Sequence, residues 1–65
     1  MGYNIKARRK ELKMSQEELA TKSKVSRTII SGLESGRVKE TTIGTLKRIA
    51  EALDTDVSYF FENDA

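Results

Sequence analysis

Apolar positions recur along this chain at helical rather than strand spacing. Ile43, Leu46, Ile49, Ala50 and Leu53 follow one another at intervals of 3, 3, 1 and 3, one face of a helix that Thr41 or Thr42 can cap and that runs to about Leu53. Gly44 weakens the first turn of that helix. Ile30 and Leu33 mark the inward side of a second helix, Arg27–Ser35. Ser26 can cap its start, and Gly36 suits a left-handed residue just past its end. Leu19 and Ala20 give Gln16–Lys22 an apolar face, opened by Ser15 and Glu18 three residues apart, the spacing of a capping box. Ile5 and Leu12, with Arg9 between them, share a face of a helix from about Asn4 to Lys13. Asp56 can cap a last short helix, Val57 to about Glu62, in which Val57 and Phe60 point inward. The pattern predicts an all-α fold of five helices around one core. With no Pro, repeat or low-complexity stretch, residues 1–65 read as a single domain.

The helices ending near Lys22 and beginning near Arg27 are separated by Ser23-Lys24-Val25. Two short helices joined by so short a turn form a helix-turn-helix, whose second helix can enter the DNA major groove. Charge points the same way. Residues 1–40 carry ten Lys or Arg against five acids, and residues 41–65 carry two against five. A basic half that contains the helix-turn-helix is what phosphate binding needs, although many small domains carry a charged, solvated surface of this kind.

Composition narrows the chemistry. There is no Cys, hence no disulfide and no thiolate metal site, and no His, the commonest general base and metal ligand. No Gly-rich phosphate loop or carboxylate pair in a cleft takes their place, so neither an enzyme nor a metal or other cofactor is expected. Apolar runs fall far short of the ~20 residues of a membrane span, and the amino terminus has no signal-peptide core. Lys6 stands where a myristoylation signal wants Ser or Thr. A cytoplasmic protein is expected.

The stretch Ser15-Gln16-Glu17-Glu18-Leu19-Ala20, then Val25-Ser26, Ile30-Ser31, Leu33-Glu34 and Gly36, resembles the phage repressor/Cro-type helix-turn-helix regulators, also called the xenobiotic-response-element type. Ile43, Leu46, Ile49-Ala50 and Ala52-Leu53 extend the resemblance over nearly the whole chain. It implies a lambda-repressor-like domain in which the N-terminal residues of helix 3 reach base edges. By position, Arg27, Thr28 and Gly32 match the base-reading places, with Ser31 beside them. Arg can bond guanine O6 and N7, and Thr can offer its methyl to thymine. Gly32 lacks a side chain; it lets the helix lie closer to the groove, leaves one base pair unread, or serves close packing. Gln16 matches a phosphate ligand at a helix N-terminus. Ser26, Ser35, Arg37 and Lys39 are further candidates for the backbone, whose contacts fix register without reading sequence. Arg9 and Glu34 match a partly buried ion pair between helices 1 and 3. Ile29 is expected to pack beside the core, with a thymine methyl as the other possible contact. The sequence departs from the family at Arg8, where an apolar residue is common, and at Lys13, where Gly often ends helix 1. A Lys in the left-handed region there costs about 1 kcal/mol, so that corner is expected to differ.

The expected function is a sequence-specific double-stranded-DNA-binding regulator, a homodimeric repressor on a near-palindromic operator, with no small-molecule ligand evident. The acidic, aromatic C-terminal edge around Thr55, Val57, Tyr59 and Phe61 is the expected dimer interface. Thr55 replaces the apolar residue common there. The alternative is a protein-interaction or antitoxin-like module on the same fold.

Overall fold

The computed structural model describes residues 3–61 and places four α-helices in order: α1 (Ile5–Glu11), α2 (Gln16–Ser23), α3 (Arg27–Ser35) and α4 (Ile43–Ala52). A single 3-10 turn, Val57–Phe61, follows them. The expected fifth helix is therefore this turn, and Glu62, its expected end, lies outside the described residues. Its β-branched and aromatic residues are weak helix formers, and five residues are too few to offset the cost of helix nucleation.

α2 packs against both α3 and α4, while α1 meets α3 and the 3-10 turn closes on α4. Ile5, Leu19, Val25, Ile30, Leu33, Leu46, Ile49, Ala50, Leu53 and Phe60 form one buried cluster. Each Leu or Ile removed from water there contributes about 1.5–3 kcal/mol. Two members of the expected apolar faces fall outside it. Ile43, the first residue of α4, is 61% exposed, so the α4 stripe begins one turn later than its spacing suggests. Leu12 is 39% exposed because α1 stops at Glu11 and leaves it on the departing turn.

The helix ends show how non-glycine residues serve as stops. Lys13 and Asp54 both take the left-handed region, at φ 55 and φ 57. At each, a later N–H reaches back: Met14 to the Arg9 carbonyl at 3.1 Å, and Thr55 to the Ala50 carbonyl at 2.9 Å. These bonds satisfy carbonyls that the helix leaves orphaned. Lys13 thus closes the α1–α2 corner in the left-handed region itself, without a glycine. Arg8 explains itself at the second site: its Nε donates to the Leu53 carbonyl at 3.0 Å and its Nη2 to the Asp54 carbonyl at 3.2 Å, a side-chain cap on the end of α4. Among the described residues no helix is long and apolar enough to cross a membrane.

Candidate nucleic-acid interface

Local hydrogen bonds set the two helices of the motif. Ser15 Oγ accepts the Glu18 N–H at 3.0 Å while Glu18 Oε1 accepts the Ser15 N–H at 2.9 Å, so α2 opens with a complete capping box. α2 closes at Lys24, in the left-handed region at φ 60, whose N–H donates to the Ala20 carbonyl. Buried Ser23 braces the turn by donating to the Leu19 carbonyl at 2.7 Å and accepting the Val25 N–H at 3.3 Å. Ser26 Oγ then accepts the Ile29 N–H at 3.2 Å and starts α3. The hydroxyl expected at a phosphate is first of all this N-cap.

A chain of polar contacts runs from the scaffold to the tip of α3. Arg9 Nε and Nη2 hold Glu34 Oε2 and Oε1 at 2.7 and 3.0 Å, a two-pronged pair. The third nitrogen, Nη1, donates to the Met14 carbonyl at 2.8 Å. The side chains of Arg9 and Glu34 are only 10% and 3% exposed. With all three nitrogens engaged inside the fold, Arg9 is a structural cation. Its hydrogen bond to Glu34 raises the guanidinium's already high pKa despite burial. Burial alone would push the Glu34 carboxyl up; the hydrogen bonds from Arg9 and Gln16, with the charges of Arg9 and Lys6, hold it below its ordinary value instead. Gln16 Nε2 donates to Glu34 Oε1 at 3.0 Å, and Gln16 Oε1 accepts from Arg27 Nε at 3.5 Å. The network therefore orients the Gln16 amide, oxygen toward Arg27, and leaves one of its amide hydrogens for an outside acceptor.

Gln16, Arg27, Thr28, Ser31 and Arg37 line one open depression of about 290 Å3. No carboxylate lines it, and the nearby Glu34 is neutralised by Arg9. Arg27, Thr28 and Arg37 are exposed, and Gln16 and Ser31 half-buried. Such a surface offers guanidinium, amide and hydroxyl donors to phosphates and base edges.

The sequence model of the helix-turn-helix family matches residues 5–60. The chain belongs to the phage repressor/Cro-type helix-turn-helix DNA-binding family. It is also similar to the immunity repressor protein of Bacillus phage phi105, 40% identical over 58 residues. That match covers 89% of this chain and 40% of the length of that relative.

Within this helix-turn-helix domain several expected residues sit elsewhere than foreseen. Gly32 does not face outward; it is buried, and a Cβ placed on it would lie 2.5 Å from Val38 Cγ2. The resemblance matched it to a base-reading place by position alone, which takes no account of the loop after α3 folding back. An interior glycine followed by an isolated valine in a polar loop was the available signal. Ser35 Oγ donates to the Gly32 carbonyl at 3.2 Å and accepts the Arg37 N–H at 3.2 Å, so its hydroxyl ties off the end of α3. Lys39 is exposed, and its carbonyl accepts from the Tyr3 hydroxyl at 2.9 Å. Ile29, expected to pack, is 37% exposed beside Thr28.

At the C-terminal edge Thr55, Val57 and Tyr59 are half-buried, and Phe61 is 57% exposed. Val57 and Tyr59 pack against the core, so Phe61 is the exposed apolar member of the four. Phe61 meets the Tyr3 ring edge-on at 5.6 Å. Asn4 is the N-cap residue of α1 but makes no side-chain cap; its amide donates to the Tyr59 carbonyl at 3.4 Å. Tyr3 and Asn4 thus join the first described residues to this edge and to the loop after α3. Sequence patterns gave no hint of either link, because both partners are more than 30 residues away.

Proposed function

We propose that the chain is a sequence-specific double-stranded-DNA-binding domain that represses transcription. Two copies bind a near-palindromic operator and lay α3 into successive major grooves. Arg27, Thr28 and Ser31 face base edges; Gln16 and Lys39 hold phosphates, with Ser26 and Ser35 at the margins. The observation that carries this is the carboxylate-free depression in which Gln16, Arg27, Thr28, Ser31 and Arg37 meet. The repressor character is supported by the likeness to the phage immunity repressor. The dimer is argued from need: one α3 of nine residues spans few base pairs, and two half-sites multiply discrimination against a genome of competing sites. The edge bearing Thr55, Val57, Tyr59 and Phe61 is the surface proposed to join the copies, because the reading residues precede residue 40.

Duplex binding measured against salt tests the proposal. Each phosphate neutralised by a Lys or Arg contributes about −0.9 to the slope of log affinity against log salt, so duplex binding by two copies should weaken steeply as salt rises. Sedimentation of the saturated complex gives two chains per duplex, and Phe61→Asp abolishes cooperative binding while single half-site binding persists. A chain without duplex affinity at low salt, captured instead by a protein partner, supports an interaction module and contradicts the proposal.

A further inference from the structure

Position 32 lies one helical turn beyond Thr28 on α3, so it is the next position along that line of the helix. The chain has none, and the space is filled from the loop. The missing Cβ would meet Val38 Cγ2 at 2.5 Å, Val38 Cβ at 3.2 Å and Arg37 Nη2 at 3.8 Å. Three features hold the loop in that position. Gly36 reverses the chain at φ 84. The Val38 N–H donates to the Gly32 carbonyl at 3.0 Å. Ser35 Oγ accepts the Arg37 N–H at 3.2 Å. Val38 thus fills the ground beside the glycine, and the Arg37 guanidinium arrives where a residue-32 side chain would reach. Arg37 is exposed, makes no ion pair among the described residues, and shares its depression with Thr28 and Ser31.

We propose that Arg37 is a base-reading residue: it takes over the base pair that a side chain at position 32 would contact and reads a guanine there in the major groove. The inference rests on the proposed function and revises one part of its sequence-based expectation, which put Arg37 on a phosphate. A guanidinium fork fits guanine O6 and N7 in two parallel bonds. Its root is fixed by backbone hydrogen bonds rather than by a flexible loop, so less freedom is lost on binding. Gly32 and Arg37 act as a unit, since the glycine makes the approach possible and the arginine uses it.

Parallel selection of duplexes from a random pool, with the natural chain and with Arg37→Gln, tests this. The loop bonds use the Arg37 backbone, and the side chain is exposed, so the variant keeps the fold. The natural chain is expected to favour guanine at one base pair of each half-site by roughly tenfold to a hundredfold. In Arg37→Gln that preference disappears or turns to adenine, which a Gln amide matches, while the other positions keep theirs. An unchanged consensus with uniformly weaker binding makes Arg37 a phosphate contact and overturns the inference alone. A natural chain that selects no consensus overturns the proposed function and this inference with it.

Discussion

The two ends of α3 are built in opposite ways. Its C-terminal half is locked: Leu33 is fully buried, Gly32 lies under Val38, and Glu34 is gripped by Arg9. Its N-terminal tip is open: Arg27, Thr28 and Ile29 are exposed, and among the described residues the one bond from the Arg27 side chain is a 3.5 Å contact to Gln16. The polar chain Arg9–Glu34–Gln16–Arg27 loosens step by step from 2.7 Å at the core to 3.5 Å at the tip. On the proposed function, folding and recognition would draw on separate residues of one nine-residue helix. Substitutions at one end should change stability, and at the other binding.

The largest effect is expected at the locked end. Arg9→Met leaves Glu34 buried without its cation, and Glu34→Leu does the same to Arg9; each should cost about 3–5 kcal/mol in urea unfolding. The double variant should recover much of that loss. A coupling energy near zero in the double-mutant cycle would break the comparison at its root.

The same pair sets a pH dependence. Glu34 is held below its ordinary value of 4.5, so the unfolded chain binds its proton first as pH falls. Its stabilisation is therefore complete above 4.5 and is lost as pH falls through the lower folded value. The stability gap between the natural chain and Glu34→Gln, followed by urea midpoints, should narrow in acid and be flat near neutrality. A gap independent of pH would show that the charge is not what matters.

Gly32→Ala comes next. In an open helix the change would gain up to about 1 kcal/mol. Here the new methyl meets a β-branched side chain at both Cγ2 and Cβ, so Val38 or its loop must give way, which typically costs about 1–3 kcal/mol. Thermal unfolding decides the sign, and Val38→Ala in the same chain should relieve the loss.

Arg27→Ala sharpens the other side. Stability should stay within about 0.5 kcal/mol, while operator binding loses about 1–3 kcal/mol and preference relaxes at one base pair. Lys13→Gly should have the smallest effect. It relieves a left-handed lysine and gains no more than about 1 kcal/mol, because glycine's freedom in the unfolded chain offsets part of it. DNA affinity should not change.

What could be read from the sequence was what neighbours in the chain decide. Ser15 with Glu18, Ser26 and Gly36 mark helix ends through bonds or backbone geometry within a few residues, and α3 begins and ends where they place it. The Arg9–Glu34 pair came from resemblance and not from spacing, since 25 residues separate the partners. Contacts made by returning segments were invisible. Val38 over Gly32, Arg8 on the end of α4 and Tyr3 on the Lys39 carbonyl all depend on where a distant piece of chain comes to rest. Of the candidate site, Gln16, Arg27, Thr28, Ser31 and Arg37 were legible through the resemblance, one by one and not as a single face. Gly32 was not, because periodicity marks a side of the helix without saying what covers it.

The most direct test of the division within α3 is an amide chemical-shift titration of the chain with a duplex carrying one half-site. The account predicts the largest perturbations at Gln16, Arg27, Thr28, Ser31 and Arg37, with the outer face of α4 at Lys47 and Glu51 unmoved. Perturbations centred on α4 or on Val57–Phe61, with the amides of Arg27 and Thr28 silent, would contradict it.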